Sequence, residues 1–509
     1  DMSKPLHRSF VVTTPNGLKV GFVGILGADG AKSAPYKDPV TFSLGPDGKD
    51  SNYAAVDAQL YKDIQPIVDH LRNDEKCDLV IALSHSGVDL TDDTKGEDTN
   101  IATHVNGIDV VVSGHSHVVY RAKIIMNPTT SKPVLVQQAG QFGEYVGKMT
   151  INVAPGGAVS FDMANSGIIN VTDATVSDPT YNATIDGIIT GVEATTLPSG
   201  KSFIGQTLSE ITGMSIVDDT SKVGDLYFYP LGKIGFDMDG TSTHKETPAT
   251  VLSADAMLAA ASRFDTASIK TDVALQAEGV VRANIQKGKT GVVTFGDVFR
   301  TLALGTNMPD GTSGYPVCRF QVPAAAMKAA LELTAGYSYE SDNQSSFFLV
   351  TSGAKVEFDT SRPEYNTNGS AIDPANGRIT KITFASDHST LAGLDTYDKV
   401  VFDVNQGGFV APYDATTPIT VAANFYIASF ASSLGVPLDL PDGTGTPAMS
   451  PADLLLKRAD GSLVQDWEAL GTYIMNQSQM NGGTLPASYD PAGTPGYPRR
   501  MICSGPLCK

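Results

Sequence analysis

Two short apolar runs constrain the fold of this chain more than any other feature of its sequence. Residues 79–83 and 108–112 are almost entirely apolar, and each run follows a segment with helical character, at residues 61–73 and 100–105. An apolar run of this length, without polar alternation, is typical of a strand buried on both faces of a parallel sheet. The recurrence of helix and buried strand therefore predicts an α/β layer.

The sequence around these runs predicts two domains of different class. An Asn16-Gly17 turn between apolar runs predicts a hairpin over residues 10–24. Further strands are expected at residues 134–137 and 145–153. A helix over residues 178–196 is bounded by prolines. Beyond it lies an α+β region, with helices expected at 254–263, 323–333 and 467–475 and strands at 347–350 and 400–404. The expected limits are a first domain at 1–175, a linker helix at 176–200 and a second domain with a C-terminal tail at 201–509.

Charge and hydropathy exclude some partners. The chain has 36 Lys and Arg against 55 Asp and Glu, a net charge of −19. This balance opposes broad binding to nucleic acid or anionic lipid. No run of 18 apolar residues exists, so no membrane span is expected. The acidic balance and the 50 Gly and 29 Pro suit an exported bacterial protein, either periplasmic, extracellular or in the cell envelope.

The four cysteines fall into two kinds. Cys77 and Cys318 are interpreted as buried small apolar residues. Cys503 and Cys508 are close enough in sequence to close a small terminal loop, which leaves open whether they are bonded. The chain begins Asp-Met-Ser-Lys without a signal-peptide pattern, so either a targeting segment has been removed or the natural N-terminus lies upstream.

Three of the eight histidines follow the two apolar runs directly. His85 comes after the first run, and His115 and His117 come after the second. Open α/β sheets bind ligands at the carboxyl ends of their strands. Small Ser and Gly neighbours leave room for a metal ion between imidazoles. The alternative is that one histidine caps a strand and the others are ordinary surface groups, but three at equivalent strand ends favour a metal site.

These motifs resemble the bacterial 5'-nucleotidase family. The segments that carry the resemblance are residues 84–85, 107–117 and 136–140 in the first region, and 279–282, 291–298 and 347–353 in the second. The resemblance implies a partial four-layer metallophosphoesterase α/β sandwich, joined by a helix to the C-terminal α+β domain of 5'-nucleotidases. It spans nearly the whole chain.

The resemblance also implies a chemistry and its ligands. In the family, two divalent metal ions such as Zn or Mn activate a hydroxide that attacks a nucleotide or another phosphate monoester. His85, His115 and His117 match the three late metal ligands of the family. The early ligands and the segment with the catalytic histidine have no counterpart before Ser84. The chain alone is therefore expected to be inactive, and a separate N-terminal fragment of the same protein is a possible partner.

The second region departs from the family pattern at the substrate. Lys245, Arg282 and Tyr426 match substrate contacts, although Lys245 stands where the family has arginine. Leu304 replaces one aromatic residue that stacks on the base, and Glu278 is expected to repel phosphate. These changes predict little preference for adenosine monophosphate. They also keep open a second interpretation, in which the protein is a noncatalytic cell-envelope or scaffold protein that retained the fold.

Two further groups are interpreted as structural. Asp92-Asp93 and Glu97-Asp98 are taken as solvated loop charges rather than a catalytic carboxylate pair. Four aromatic residues in the second region are compatible with a ligand cleft, but core packing and strand pairing explain them better. They are Tyr337, Tyr339, Phe347 and Phe348.

Overall fold

The computed structural model describes residues 7–32, 53–141, 143–154, 157–172, 174–176, 178–194, 211, 227–240, 244–305, 313–339, 346–364, 377–386, 395–493 and 500–508. The chain divides into two compact units. Residues 1–176 with 341–343 form the first unit, and the remaining residues form the second. The division lies next to the expected limit at residue 175, while the helix expected as a linker is grouped with the second unit.

In the described part of the first unit, six strands form one sheet in the order β1-β2-β3-β4-β6-β5. They are Ser9–Thr13 (β1), Lys19–Leu26 (β2), Leu79–His85 (β3), Val110–Ser113 (β4), Val119–Asn127 (β5) and Lys132–Ala139 (β6). The central strands β2, β3, β4 and β6 are parallel, and the two outer strands are antiparallel to their neighbours. The predicted hairpin is the β1–β2 pair, with Gly17 at a φ of 85° in its turn.

Helices cover one face of this sheet. The covering helices are Tyr53–Asn73 (α2) and Glu97–His104 (α3), and a short helix, Ala28–Lys32 (α1), follows β2. Val68 of α2 and Ile101 of α3 pack with Val80 and Val111 of the sheet, and all four are 0% exposed. The predicted helix and strand alternation is thus present, although α3 begins three residues earlier than expected.

The opposite face of the sheet corrects the expectation of strands buried on both sides. Leu83 is 41% exposed and Val112 is 38% exposed. Apolar side chains near the other end of the strands, including Ile151 and Phe161, pack with Leu79 and Val110. Only one end of this face is therefore covered within the described residues.

Smaller elements complete the first unit. Tyr145–Lys148 (β7) pairs with Gly167–Asn170 (β10), and Ile151–Val153 (β8) pairs with Val159–Phe161 (β9). The single strand expected at 145–153 is therefore two strands with different partners. The helix expected at 178–196 is Pro179–Glu193 (α4), which is grouped with the second unit.

The second unit contains two larger sheets and a two-stranded ladder. The described sheets have the orders β14-β20-β12-β15, β19-β18-β17-β16-β21 and β11-β13. The strands are Pro230–Lys233 (β11), Val273–Ala277 (β12), Val292–Thr294 (β13), Val317–Pro323 (β14), Leu349–Ser352 (β15), Ala354–Asp359 (β16), Ile379–Ala385 (β17), Tyr397–Asp403 (β18), Gly408–Phe409 (β19), Pro418–Asn424 (β20) and Met501–Ser504 (β21). The α+β class expected for this region is therefore found.

Further helices follow α4 in the second unit. They are Pro248–Ser262 (α5), Phe295–Leu302 (α6), Ala324–Ala335 (α7), Phe425–Ser433 (α8) and Asp466–Met480 (α9). Thr247 and Thr294 form capping boxes at α5 and α6, and the Asn424 side chain accepts from the backbone N–H of Ile427 at α8. Among the described helices, none is both long and apolar enough to cross a membrane.

A buried ion pair holds the C-terminal strand in the second unit, and a disulfide closes the short loop that follows the strand. Arg500 is fully buried, and its NH1 lies 2.7 Å from Asp255 Oδ1. Cys503 and Cys508 are bonded, which settles the question left open by the sequence. Cys77 and Cys318 are free and buried, as predicted.

Candidate functional site

His85 and His115 lie at the carboxyl ends of the adjacent parallel strands β3 and β4. The register pairs Leu83 with Val112 and so brings the two following segments side by side. The two imidazole centroids are 5.0 Å apart, with the ring planes at 59°. A Cβ atom at Gly114 would be 3.2 Å from His85 Nδ1, so the glycine gives the imidazole its space. The structure therefore brings two of the three candidate ligands together.

The backbone after β4 is strained at both of its histidines. His115 has a φ of 85° and His117 a φ of 60°. Non-glycine residues rarely adopt this left-handed region, and such strain persists where the surroundings impose it, often at functional sites. His117 follows His115 by two residues in the sequence, and its side chain is half-buried. Its role as a metal ligand remains a prediction.

An aspartate that the sequence analysis missed contacts this pair. Asp29 Oδ2 lies 3.1 Å from His115 Nε2, and only 2% of the Asp29 side chain is exposed. The Asp29 backbone N–H donates to Glu97 Oε1 at 3.1 Å, which ties the start of α1 to α3. Asp29 follows the carboxyl end of β2, so the strand-end rule that selected the histidines could also have selected this carboxylate.

The interpretation of Glu97 and Asp98 as solvated charges is wrong. Both lie at the beginning of α3, with 5% and 0% exposure. Asp98 Oδ2 accepts from the Gly87 N–H at 3.0 Å and from Ser113 Oγ at 2.6 Å. Burial raises the pKa of Asp98 to about 6, although these hydrogen bonds and the charge of His115 oppose the rise. The error arose because the early start of α3, which places both residues against the sheet, was not predicted.

Among the described residues of the first unit, the donor groups do not form a complete metal centre. Two imidazoles and the Asp29 carboxylate approach one another, as described above. Yet within the described ranges no group of three or more His, Cys, Asp or Glu side chains is placed to hold a metal ion. A dinuclear site needs a larger set of converging donors. The described residues therefore supply at most part of the donor set for the metal pair that the resemblance implies, and no catalytic step is assigned to it.

In the second unit, Arg282 and Tyr426 lie in one cluster. The Arg282 guanidinium donates to the Gly279 carbonyl at 3.0 Å and interacts electrostatically with Tyr315 and Tyr426. Burial lowers the pKa of Arg282, and the two tyrosines oppose this change. The Tyr315 and Tyr426 rings lie 5.7 Å apart. Arg282 and Tyr426, two of the three candidate substrate contacts, are thus close to each other and partly shielded from water.

Lys245 and Glu278 modify the expected phosphate environment. Lys245 is exposed and interacts electrostatically with Glu278, whose side chain is buried. Glu278 Oε2 accepts from the His244 N–H at 3.2 Å, and burial raises the pKa of Glu278 well above its usual range. The raised pKa favours the neutral acid. The predicted repulsion of phosphate by Glu278 is therefore weaker than its sequence position suggested.

Similarity to known proteins agrees with these features. Residues 228–415 match the family model described as 5'-nucleotidase, C-terminal domain. Over 251 residues, 49% of this chain, the sequence is 24% identical to the trifunctional nucleotide phosphoesterase protein YfkN of Bacillus subtilis (strain 168). Over 166 residues, 29% of this chain, it is 28% identical to an apyrase of Tabanus yao. The matched segments span 14% and 25% of those two proteins.

A solved structure extends the likeness to the first unit. The 5'-nucleotidase precursor from Thermus thermophilus matches with a TM-score of 0.58 at 19% identity, over 98% of this chain and 74% of that chain. At this identity the likeness concerns the fold alone. The comparisons therefore identify a 5'-nucleotidase C-terminal domain at residues 228–415 of the chain.

Proposed function

We propose that the protein is a metal-dependent phosphohydrolase that acts on phosphate monoesters. The single observation that carries this proposal is the convergence of His85 and His115 at adjacent strand ends, in a chain that also has a 5'-nucleotidase C-terminal domain. In the proposed reaction, water adds to phosphorus and the bond from phosphorus to the alcohol oxygen breaks. The products are inorganic phosphate and an alcohol that has taken up a proton.

The residues of this chain divide between two tasks in this proposal. His85, His115 and His117 serve as metal ligands, and the remaining ligands come from sequence outside residues 1–509, as in a partial metallophosphoesterase domain. Arg282 supplies a fixed positive charge for the phosphate group, since a guanidinium matches phosphate oxygens in a two-point geometry. Tyr426 and the exposed Lys245 complete the substrate contacts.

The proposed location is outside the cytoplasm. The support is the Cys503–Cys508 disulfide together with the acidic composition. Disulfides persist chiefly in oxidising compartments such as the bacterial periplasm and the extracellular space. Alkylation of thiols in freshly isolated protein, followed by mass analysis, checks the location: modification of Cys503 or Cys508 would contradict it.

The activity test compares the natural full-length protein with the 509-residue chain. We expect hydrolysis of p-nitrophenyl phosphate by the full-length protein with Mn²⁺ or Zn²⁺, and a rate at least about a hundredfold lower for the chain alone. His115→Ala in the full-length protein should lower kcat/KM by about a hundredfold or more. The matched control is His70→Ala, because His70 is an exposed helix residue of the same unit.

Two outcomes would reject the phosphohydrolase proposal. One is the absence of hydrolysis in both proteins at every metal tested, and the other is an unchanged kcat/KM in His115→Ala. The first outcome would favour the second interpretation, a noncatalytic envelope or scaffold protein. The incomplete donor set among the described residues of the first unit supports that interpretation. A stable complex of such a protein with other envelope proteins would then be the expected finding.

A further inference from the structure

The second unit contains a large apolar cavity beside the candidate substrate residues. Its volume is about 460 Å³, and among the described residues that line it only Tyr337 and Tyr426 have polar side chains. The cavity is partly open to solvent, as ligand-binding clefts are, and ligand pockets commonly occupy several hundred cubic ångströms.

Small side chains create the space. The face of α7 toward the cavity carries Ala326, Ala329 and Ala330, and the sheet contributes Leu275 and other apolar residues. On the opposite side, α8 presents Phe430 and Ala431, among others. Two helices and a sheet therefore enclose a volume that larger residues at the alanine positions would fill.

Aromatic rings connect the cavity to the arginine cluster. Phe347 lies 4.9 Å from Phe430 and 5.5 Å from Tyr337, measured between ring centroids. Tyr426 and Phe430 are parallel at 6.4 Å, and Tyr426 interacts with the Arg282 guanidinium. Tyr337 and Phe347, for which the sequence predicts core packing, thus line a cavity together with Tyr426, the residue that interacts with the cation. Tyr339 and Phe348 pack against one another in the interior, as expected.

We propose that this cavity binds the organic group of the substrate, and that this group is an apolar alkyl or aryl chain. The substrates would then be phosphate monoesters of apolar alcohols, with the phosphate at Arg282 and the chain between α7 and α8. The phosphate part rests on the proposed function, whereas the apolar part rests on the cavity itself. A nucleoside, with its many hydroxyl and ring nitrogen groups, would leave polar atoms unpaired against this lining.

A chain-length series tests the apolar part by binding rather than by hydrolysis. Each buried methylene contributes roughly a fourfold gain in affinity. Calorimetric titration of the 509-residue chain should therefore show octyl phosphate binding at least about tenfold more tightly than butyl phosphate, and both more tightly than inorganic phosphate. Arg282→Met should lower the affinity for octyl phosphate by about tenfold and leave the affinity for octanol unchanged.

Filling the cavity separates a specific site from general surface adsorption. Ala431→Trp and Ala330→Trp, one from each helix, should each remove the difference between octyl and butyl phosphate. The matched control is Ser433→Trp, because Ser433 is exposed on the same helix as Ala431 and does not line the cavity. It should bind octyl phosphate within about twofold of the unaltered chain. Circular dichroism verifies that each variant is folded.

The outcomes distinguish this inference from the proposed function. Equal affinities for butyl and octyl phosphate, or a chain-length effect that survives both tryptophan variants, would overturn the inference even if the full-length protein hydrolyses phosphate esters. A chain-length effect that both variants abolish would support it even if no hydrolysis occurs. Tighter binding of adenosine monophosphate than of octyl phosphate would also overturn it.

Discussion

The candidate residues of the first unit lie at the end of a sheet with one partly exposed apolar face, whereas those of the second unit lie within a packed domain. Leu83 and Val112 are about two-fifths exposed on strands that carry His85 and His115 at their ends. Tyr426, by contrast, lines a cavity between two helices and a sheet, and it interacts electrostatically with Arg282. The proposed ligand site of the second unit therefore rests on described residues of that unit, whereas the proposed metal site of the first unit needs further donor groups.

The buried ion pair of the second unit should give the largest effect on stability. Arg500 contacts Asp255, donates to the Tyr397 hydroxyl at 2.9 Å and is fully buried. Arg500→Met leaves the Asp255 carboxylate buried without its cation, so we expect a loss of about 3 to 5 kcal/mol in the free energy of unfolding. Urea unfolding of the second unit measures it. Arg300→Ala, at an exposed pair with Asp297, is the control and should cost less than about 0.5 kcal/mol. A loss below about 1 kcal/mol for Arg500→Met would show that the second unit does not depend on this pair.

A smaller effect is expected from Glu278 and depends on pH. Because the pKa of this glutamate is raised in the folded protein, its protonated form stabilises the native state at low pH. That stability decreases as the pH rises above the usual range of glutamate and through the raised pKa. Glu278→Gln should therefore flatten the decline in the free energy of unfolding that begins as the pH rises above about 4.5, the usual pKa of glutamate. Urea titrations at several pH values test it, with the half-exposed Glu357→Gln as control. A decline as steep as in the unaltered chain would contradict the assignment.

Substitution of two neighbouring valines of β4 should give the smallest change in the free energy of unfolding. It tests whether one face of the sheet in the first unit is exposed. Val111 is 0% exposed, whereas Val112 is 38% exposed. Val111→Thr should lower the free energy of unfolding by about 1 to 3 kcal/mol, because it buries a hydroxyl group. Val112→Thr should change it by less than about 0.5 kcal/mol. Equal losses in thermal or urea unfolding would show that the face is covered.

The alternation of helices and strands was predictable because the spacing of apolar residues indicates which side chains are buried in the core. The apolar runs before His85 and His115 predict the correct strands, and the turn at Asn16-Gly17 predicts the correct hairpin. The exposure of Leu83 was not predictable from the apolar run, because the sequence of a strand does not show whether another layer covers each of its faces. The spacing of apolar residues also places the start of α3 too late in the sequence. For that reason Asp98 was predicted to be solvated, whereas the fold buries it.

The candidate site was predictable only where a single segment carries its residues. The strand-end histidines follow directly from the order of residues along β3 and β4. Asp29 and the aromatic cavity wall are assembled from distant segments, and only the tertiary fold brings them together. The partner of Glu278, the His244 N–H, is likewise 34 residues away. Its burial, rather than its sequence position, sets its charge.

A crystal structure of the chain with octyl phosphate tests the central claim, that the second unit holds the ligand, most directly. The account predicts the phosphate group within hydrogen-bond distance of the Arg282 guanidinium and the alkyl chain between α7 and α8, in contact with Phe430. A phosphate bound away from Arg282, with the cavity between α7 and α8 left without the alkyl chain, would contradict it.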